Sequence, residues 1–349
     1  MYSDAEGEWF DECDETTNEP KPKKKRRKHS AKVLTPNSLL ACVPDRVGNW
    51  SELYLLANST KVKNYKDCQE LCDLLPAMDA INSLVGLQTV KDKLLDVIRF
   101  YCQRMKCKRP QSKLNHVVIY GPPGCGKTTL AEALAHLYML MGIIKKASVV
   151  RGTRQNMIGS FIGHTEKNTQ KVIDAAMGGV LLLDEAYSLG DGRSSQSADS
   201  YSKACIDTIN RNLTERADDF ICIVVGYKES LTRDFFSVNP GLERRFPWVY
   251  EMKPYSPVEL DAIFNSICSR DKLQVGVDTR VFFSAQFRRF PFNAASVVEF
   301  VDKLHVVLMR DSFGCHDAIP TVAAIHLKGA LDLLSSPPVD ECRHHDMYL

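Results

Sequence analysis

Apolar positions between residues 79 and 253 follow two alternating rhythms. Five near-continuous apolar runs, 116–120, 147–150, 179–185, 220–225 and 247–250, read as buried strands. Between them lie stretches whose apolar residues stand three and four apart. Val90, Leu94, Leu95, Ile98 and Phe100 mark one such helical face, and the Ala/Leu-rich segment 130–140 marks another. Runs of this kind alternating with helices predict an α/β fold, a parallel five-stranded sheet flanked by helices on both faces. Past Pro254 the strand rhythm stops. Residues 257–267, 280–287, 294–308 and 322–334 all read as helices, so a small all-helical domain is expected over 254–335. Ahead of the sheet domain, residues 41–78 carry a mixed pattern with Trp50, Leu53, Tyr54 and Leu55, and a short helix over 67–75 before Pro76. This segment reads as an extension packed on the main domain, which starts near Asp79.

Composition changes the picture mainly at the ends. The 349 residues carry a net charge of +2 and an ordinary 44% of hydrophobic residues, so a globular core is expected. Residues 1–20 hold eight acidic side chains and no basic one, and Lys21, Lys23, Lys24, Lys25, Arg26, Arg27 and Lys28 then pack seven positive charges into eight positions. Neither half can bury enough apolar surface to fold, so residues 1–40 are expected to be a disordered acidic-then-basic arm. The basic run reads as a nuclear localisation signal or a nucleic-acid contact, against the blander solvated tail. Its compactness and leading Lys-Pro-Lys favour import, which makes the nucleus the expected location and the cytoplasm the default without it. No apolar run is long enough to span a membrane, and no signal-peptide pattern is present. Twelve cysteines are scattered without metal-ligand spacing, pointing to a reducing compartment and no disulfide framework. The tail 336–349 reads as loose, and His344 and His345 near Cys342 do not amount to a metal site.

The chemistry concentrates in Gly121-Pro122-Pro123-Gly124-Cys125-Gly126-Lys127-Thr128-Thr129, between a predicted strand and a predicted helix. That context gives the G-x-x-x-x-G-K-[ST] pattern its meaning. Glycines let several backbone N–H groups point at one anion, and the helix N-terminus adds partial positive charge. Lys127 reaches the β- and γ-phosphates of a nucleotide and the Thr128 hydroxyl holds Mg²⁺. Asp184, at the mouth of a buried strand, binds the same Mg²⁺ through water, and Glu185 polarises the attacking water as general base. ATP and Mg²⁺ are therefore the expected cofactors, and ATP hydrolysis the expected reaction.

With these residues stand Leu84-Val85-Gly86-Leu87, 158–165, 175–179, Asp184-Glu185-Ala186-Tyr187, Val225-Gly226-Tyr227 and Asn239-Pro240-Gly241-Leu242. Over residues 79–310 the chain resembles the AAA+ ATPases, and within them the group containing CbbX and SpoVK. The resemblance implies a P-loop NTPase sheet domain over 79–253 with a helical lid over 254–335, and a homo-oligomeric ring, a hexamer in the family. Phe161-Ile162-Gly163 matches the pore loop that grips a polypeptide substrate. Asn239 to Arg245 matches the segment that supplies an arginine finger to a neighbouring subunit; Arg245 aligns with that arginine and Arg244 with a small residue before it. Tyr227 stands where many members place an asparagine that positions water. The lid departs from the pattern: Ala295 occupies the place of a nucleotide-sensing arginine and Val298 that of a second basic residue, with Arg288 or Arg289 as candidate substitutes.

Three functional readings follow. The first is a ring motor that uses ATP hydrolysis to remodel or thread a protein substrate through a central pore. The second is a nuclear, nucleic-acid-associated ATPase of helicase-loader or clamp-loader type, with its basic arm on DNA. The third is a nucleotide-gated scaffold. Phe161 favours the first, no basic aromatic-interleaved surface within 79–335 supports the second, and Glu185 with Arg245 counts against the third. The Gly/Ser-rich stretch 190–202 is expected to be mobile, either a second substrate loop or a linker.

Overall fold

A computed structural model of the chain describes residues 47–59, 69–106, 116–161, 163–190, 196–311 and 321–334, all within a unit that runs from Val33 to Leu349. The predicted arm with its basic run, Ile162 and the tail lie outside the described residues.

Before the sheet come α1 (Trp50–Asn58), α2 (Leu75–Ser83) and α3 (Gln88–Lys106). Trp50, Leu53, Leu71 and Leu74 are fully buried in the same core as Leu94, Ile98 and Leu134. At about 1.5–3 kcal/mol for each large side chain buried, this segment is an integral layer of the domain. A helix at Gln69–Asp73 matches the short one expected there. The boundary expected before Asp79 falls inside α2, because the apolar face of Ala77, Met78 and Ile81 runs across it.

β1 (Val117–Tyr120), α4 (Lys127–Leu140), β2 (Val149–Gly152), α5 (His164–Ala176), β3 (Val180–Asp184), α6 (Gln196–Glu215), β4 (Ile221–Gly226) and β5 (Trp248–Glu251) follow. The strands form one parallel sheet in the order β2-β3-β4-β1-β5. Strand side chains alternate between two cores. Val117, Ile119, Leu182 and Ile223 join α3 and α4, while Val118, Leu181, Leu183 and Val224 join α5 and α6. This explains why the runs are apolar at every position. β2 lies two residues later than expected; as an edge strand it accommodates the exposed Arg151. In register, Tyr120 pairs with Gly226 and Asp184 with Val225, so the carboxyl ends of β1, β3 and β4 open side by side.

The stretch 190–202 is not a loop throughout. α6 already begins at Gln196, because the buried stripe Ser202, Cys205, Ile206, Ile209 and Leu213 extends the helix toward its N-terminus; residues 191–195 lie outside the described residues.

After β5 come α7 (Pro257–Arg270), β6 (Gln274–Val275), α8 (Thr279–Gln286), α9 (Asn293–Asp311), β7 (Thr321–Val322) and α10 (Ala324–Leu333). Ser256 and Glu259 form a capping box at the start of α7, with Pro257 in its first turn. Phe264, Phe283, Phe290 and Phe300 pack ring to ring, with centroids 5.0–6.2 Å apart. The region is not all-helical as expected. β6 and β7 pair in parallel through two residues each, strands too short to leave a periodic signal, and the last helix starts at Ala324 rather than Val322. Among the described residues no helix is long and apolar enough to cross a membrane.

Candidate active site

Immediately after β1 the chain turns through 121–126 into α4. Gly124 (φ +69°) and Gly126 (φ +86°) adopt left-handed backbone, which glycine reaches without steric cost. Gly126 is the N-cap of α4 and offers no capping side chain, so the first N–H groups of the helix lack one of their usual acceptors. A cavity of about 310 Å³ opens here. Pro123, Gly124, Gly126, Lys127, Thr128 and Thr129 line it from the loop, and Asp184, Glu185, Tyr187, Gly226 and Tyr227 from the ends of β3 and β4.

Not every loop residue turns its side chain to that space. The Cys125 side chain is fully buried, its Sγ 3.9 Å from Met252 Sδ, and burial pushes its thiol pKa up. A Cβ on Gly121 would come within 2.8 Å of that sulfur. Gly121, Pro122 and Cys125 are not among the lining residues.

Lys127 Nζ donates to Gly121 O (3.0 Å) and Pro122 O (2.7 Å) and lies 5.2 Å from the centroid of the Tyr227 ring. Both acceptors are neutral carbonyls, so the ammonium keeps its charge for an anion. Thr128 Oγ1 donates to Asp184 Oδ2 at 3.0 Å, and Asp184 Oδ1 accepts from the Glu185 N–H at 3.1 Å. A hydroxyl and a carboxylate so close are the hard oxygen donors that Mg²⁺ prefers. Glu185 has φ +50°, a conformation that costs a non-glycine residue about 1–2 kcal/mol. Such strain is characteristic of functional positions.

Tyr187, which the sequence offered only as the last residue of Asp184-Glu185-Ala186-Tyr187 and with no role of its own, completes the wall. Its ring stacks on Tyr227 at 5.9 Å. Burial, then the neighbouring Glu185 carboxylate, push its pKa up to about 12, so the hydroxyl stays protonated. An aromatic residue two positions after the acidic pair is too ordinary a signal to have given it a role.

The remaining predicted residues sit elsewhere. Arg244 and Arg245 form a short 3₁₀ turn with Glu243. Arg244 is exposed, Arg245 Nε donates to Thr214 Oγ1 at 3.1 Å, and neither lines the cavity of its own chain. Phe161 is 68% exposed, in edge contact with His164, just ahead of Gly163 (φ +80°) at the start of α5.

The lid reaches the loop through Asn293, which opens the segment carrying Ala295 but was assigned no role from the sequence, and through Tyr255, which the sequence did not single out. Asn293 Nδ2 donates to Pro123 O (3.1 Å), its Oδ1 accepts from Tyr255 N (2.9 Å), and Tyr255 Oη donates to Cys125 O (3.0 Å). Ala295 lies beside Gly124. Of the two candidate substitutes for the missing arginine, Arg288 is exposed, while Arg289 Nη2 donates to Leu331 O and Leu334 O at the end of α10. Arg289 therefore serves the lid's own packing. Among the described residues no group of three or more His, Cys, Asp or Glu gathers at metal-binding range, and Cys72, Cys125, Cys205, Cys222 and Cys268 are free thiols.

Residues 117–252 match the model of the ATPase family associated with various cellular activities (AAA). The chain is 34% identical over 266 residues to the putative cfxQ-like protein R730 of Acanthamoeba polyphaga mimivirus, covering 73% of this chain and 64% of that protein. It is 33% identical over 215 residues to the chloroplastic ribulose bisphosphate carboxylase/oxygenase activase of Cyanidioschyzon merolae (strain NIES-3377 / 10D), covering 60% of this chain and 72% of the activase. Among solved structures, the FIGL-1 AAA domain in complex with ADP is similar in fold, with a TM-score of 0.52 at 14% identity, over 76% of this chain and 87% of that domain.

Proposed function

Because the chain belongs to the AAA+ ATPases, in the group that includes CbbX and SpoVK, we propose that it is an ATP-hydrolysing ring motor that remodels a protein substrate by gripping it in a central pore. The observation that carries this reading is the meeting, in one cavity, of Lys127, the Thr128–Asp184 pair and Glu185. Lys127 takes the β- and γ-phosphates once it leaves the carbonyls of Gly121 and Pro122. Thr128 and, through water, Asp184 would hold Mg²⁺. Bound there, the metal would supply positive charge that offsets the negative charge of the triphosphate. Glu185 orients and deprotonates the attacking water. Tyr227, whose ring lies beside the Lys127 ammonium, takes the part of the water-positioning residue.

That neither Arg244 nor Arg245 lines the cavity of its own chain supports action on a neighbour's nucleotide, and with it a homo-oligomer, a hexameric ring in the family. A guanidinium delivered across a subunit boundary couples hydrolysis to assembly. Arg245 is already bonded to Thr214 while Arg244 is exposed, so each is to be tested separately. The exposed Phe161 supports the grip on a polypeptide; in the sequence it heads the Phe161-Ile162-Gly163 motif.

The test uses Glu185→Gln, which is expected to retain ATP while turnover falls about 10²–10⁴-fold. Trapped in ATP, this variant should hold a protein substrate, and Phe161→Ala in the same background should release it. Turnover at the wild-type rate in Glu185→Gln would remove the base assignment; substrate retention in the double variant would remove the pore reading.

A second reading, a nuclear nucleic-acid-associated loader, is favoured only by the basic run Lys21–Lys28. Recovery of nucleic acid instead of protein in the trap would establish it. We propose nuclear location on the same run, and continued nuclear accumulation of a fluorescent fusion lacking residues 21–28 would count against it.

A further inference from the structure

We infer that Asn293 and Tyr255, two lid-side residues, pre-set the phosphate-binding amides of the loop, so that lid docking and phosphate affinity are coupled through the loop backbone. The inference rests on the nucleotide reading of the cavity.

It starts from the peptide unit. A trans peptide is planar, and its C=O and the following N–H point in opposite directions. Fixing a carbonyl therefore fixes the next amide. Asn293 Nδ2 holds the Pro123 carbonyl at 3.1 Å, which orients the Gly124 N–H away from the lid. Tyr255 Oη holds the Cys125 carbonyl at 3.0 Å, which orients the Gly126 N–H in the same way. Both glycines line the cavity. Glycine amides are otherwise the freest groups in such a loop, and their loss of freedom on binding would weaken the hold on phosphate. With the carbonyls already fixed, much of that ordering precedes the ligand.

The clamp itself is rigid. Asn293 is 3% exposed with φ +52°, a left-handed conformation that asparagine tolerates better than most residues. Its amide is used at both ends, since Oδ1 also accepts from Tyr255 N. One side chain thus ties the second clamping residue to the first. Tyr255 is 6% exposed, and burial raises its pKa, so its hydroxyl remains a donor.

Backbone packing adds a third contact. A Cβ on Gly124 would lie 2.0 Å from Phe292 O and 2.8 Å from Ala295 Cβ, so the start of α9 sits directly on the loop. Ala295 is where the resemblance expects an arginine that senses nucleotide from the lid. Here the same segment touches the loop through its backbone and through Asn293, so lid position can influence phosphate binding without that arginine. By linkage, a bound phosphate group favours the docked lid by the same factor.

The experiment uses the full chain with Tyr255→Phe and, separately, Asn293→Gly. The first keeps the buried ring; the second keeps the left-handed backbone. Affinity is measured for a fluorescent ADP and, by competition, for inorganic triphosphate, which has no base or sugar. Amide hydrogen exchange over 121–129 is followed without nucleotide. Each variant is expected to weaken both probes by the same factor, about five- to tenfold, the worth of one backbone hydrogen bond. Exchange at Gly126 should accelerate in Tyr255→Phe and at Gly124 in Asn293→Gly. Unchanged affinity in Tyr255→Phe, or weaker ADP with triphosphate unaffected, overturns the inference, because the lid would then act on the base or not at all. Should Asn293→Gly fail to fold, Tyr255→Phe decides alone. Wild-type protein that binds neither probe overturns the nucleotide reading itself, and this inference with it.

Discussion

Two glycines with similar positive φ stand in opposite surroundings. Gly124 in the phosphate loop (φ +69°) has Phe292 O 2.0 Å from where a Cβ would stand; Gly163 beside Phe161 (φ +80°) has nothing within 4 Å of that point. The first is enclosed by the lid and its neighbouring carbonyls are held by Asn293 and Tyr255. The second opens α5 next to a phenylalanine that is 68% exposed. The nucleotide end is thus over-determined and the Phe161 end is left open. A phosphate cradle gains from geometry fixed in advance, since ordering it during binding would cost affinity. On the proposed pore reading, the open surface at Phe161 suits polypeptide segments of unrelated sequence.

Lys127→Ala is the most severe test of this contrast. Removing the ammonium deletes two charge-assisted hydrogen bonds to phosphate, so nucleotide affinity should fall at least about 100-fold, read by calorimetry. Retained affinity would mean that the enclosed loop is not a phosphate site. Gly124→Ala comes next. Its methyl meets lid backbone as well as an unfavourable φ, so the lid must shift; nucleotide affinity should fall about tenfold or more, and the melting temperature with it. Gly163→Ala should cost only the backbone term, about 1 kcal/mol, with nucleotide affinity unchanged. If Gly124→Ala proved as mild as Gly163→Ala, the enclosure of the loop would have no energetic weight. If Gly163→Ala weakened nucleotide binding, the two regions would be coupled rather than opposed.

Much of the cavity could be read from residues adjacent in sequence. The loop, Asp184 and Glu185 each sit at the end of an apolar run, and the parallel register of β1, β3 and β4 then brings those ends together. What escaped were partners distant in sequence. Asn293 lies 170 residues from Pro123 and Tyr255 lies 130 from Cys125, and neither residue type is unusual where it stands. The β6–β7 pair escaped because two-residue strands have no period to detect. The start of α6 escaped because Gly/Ser-rich composition outweighed a buried stripe whose partners lie on α5 and β4.

The sequence alone determined the chemistry of phosphate binding and the α/β class, because both depend on local residue type and on periodicity within one element. Only tertiary structure decided which groups support the loop, that Tyr187 backs Tyr227, that Arg289 is engaged at α10, and that neither Arg244 nor Arg245 lines the cavity of its own chain. These are properties of pairing between distant segments. A hydrogen-bonding side chain looks the same in a sequence whether its partner is water or a carbonyl more than a hundred residues away.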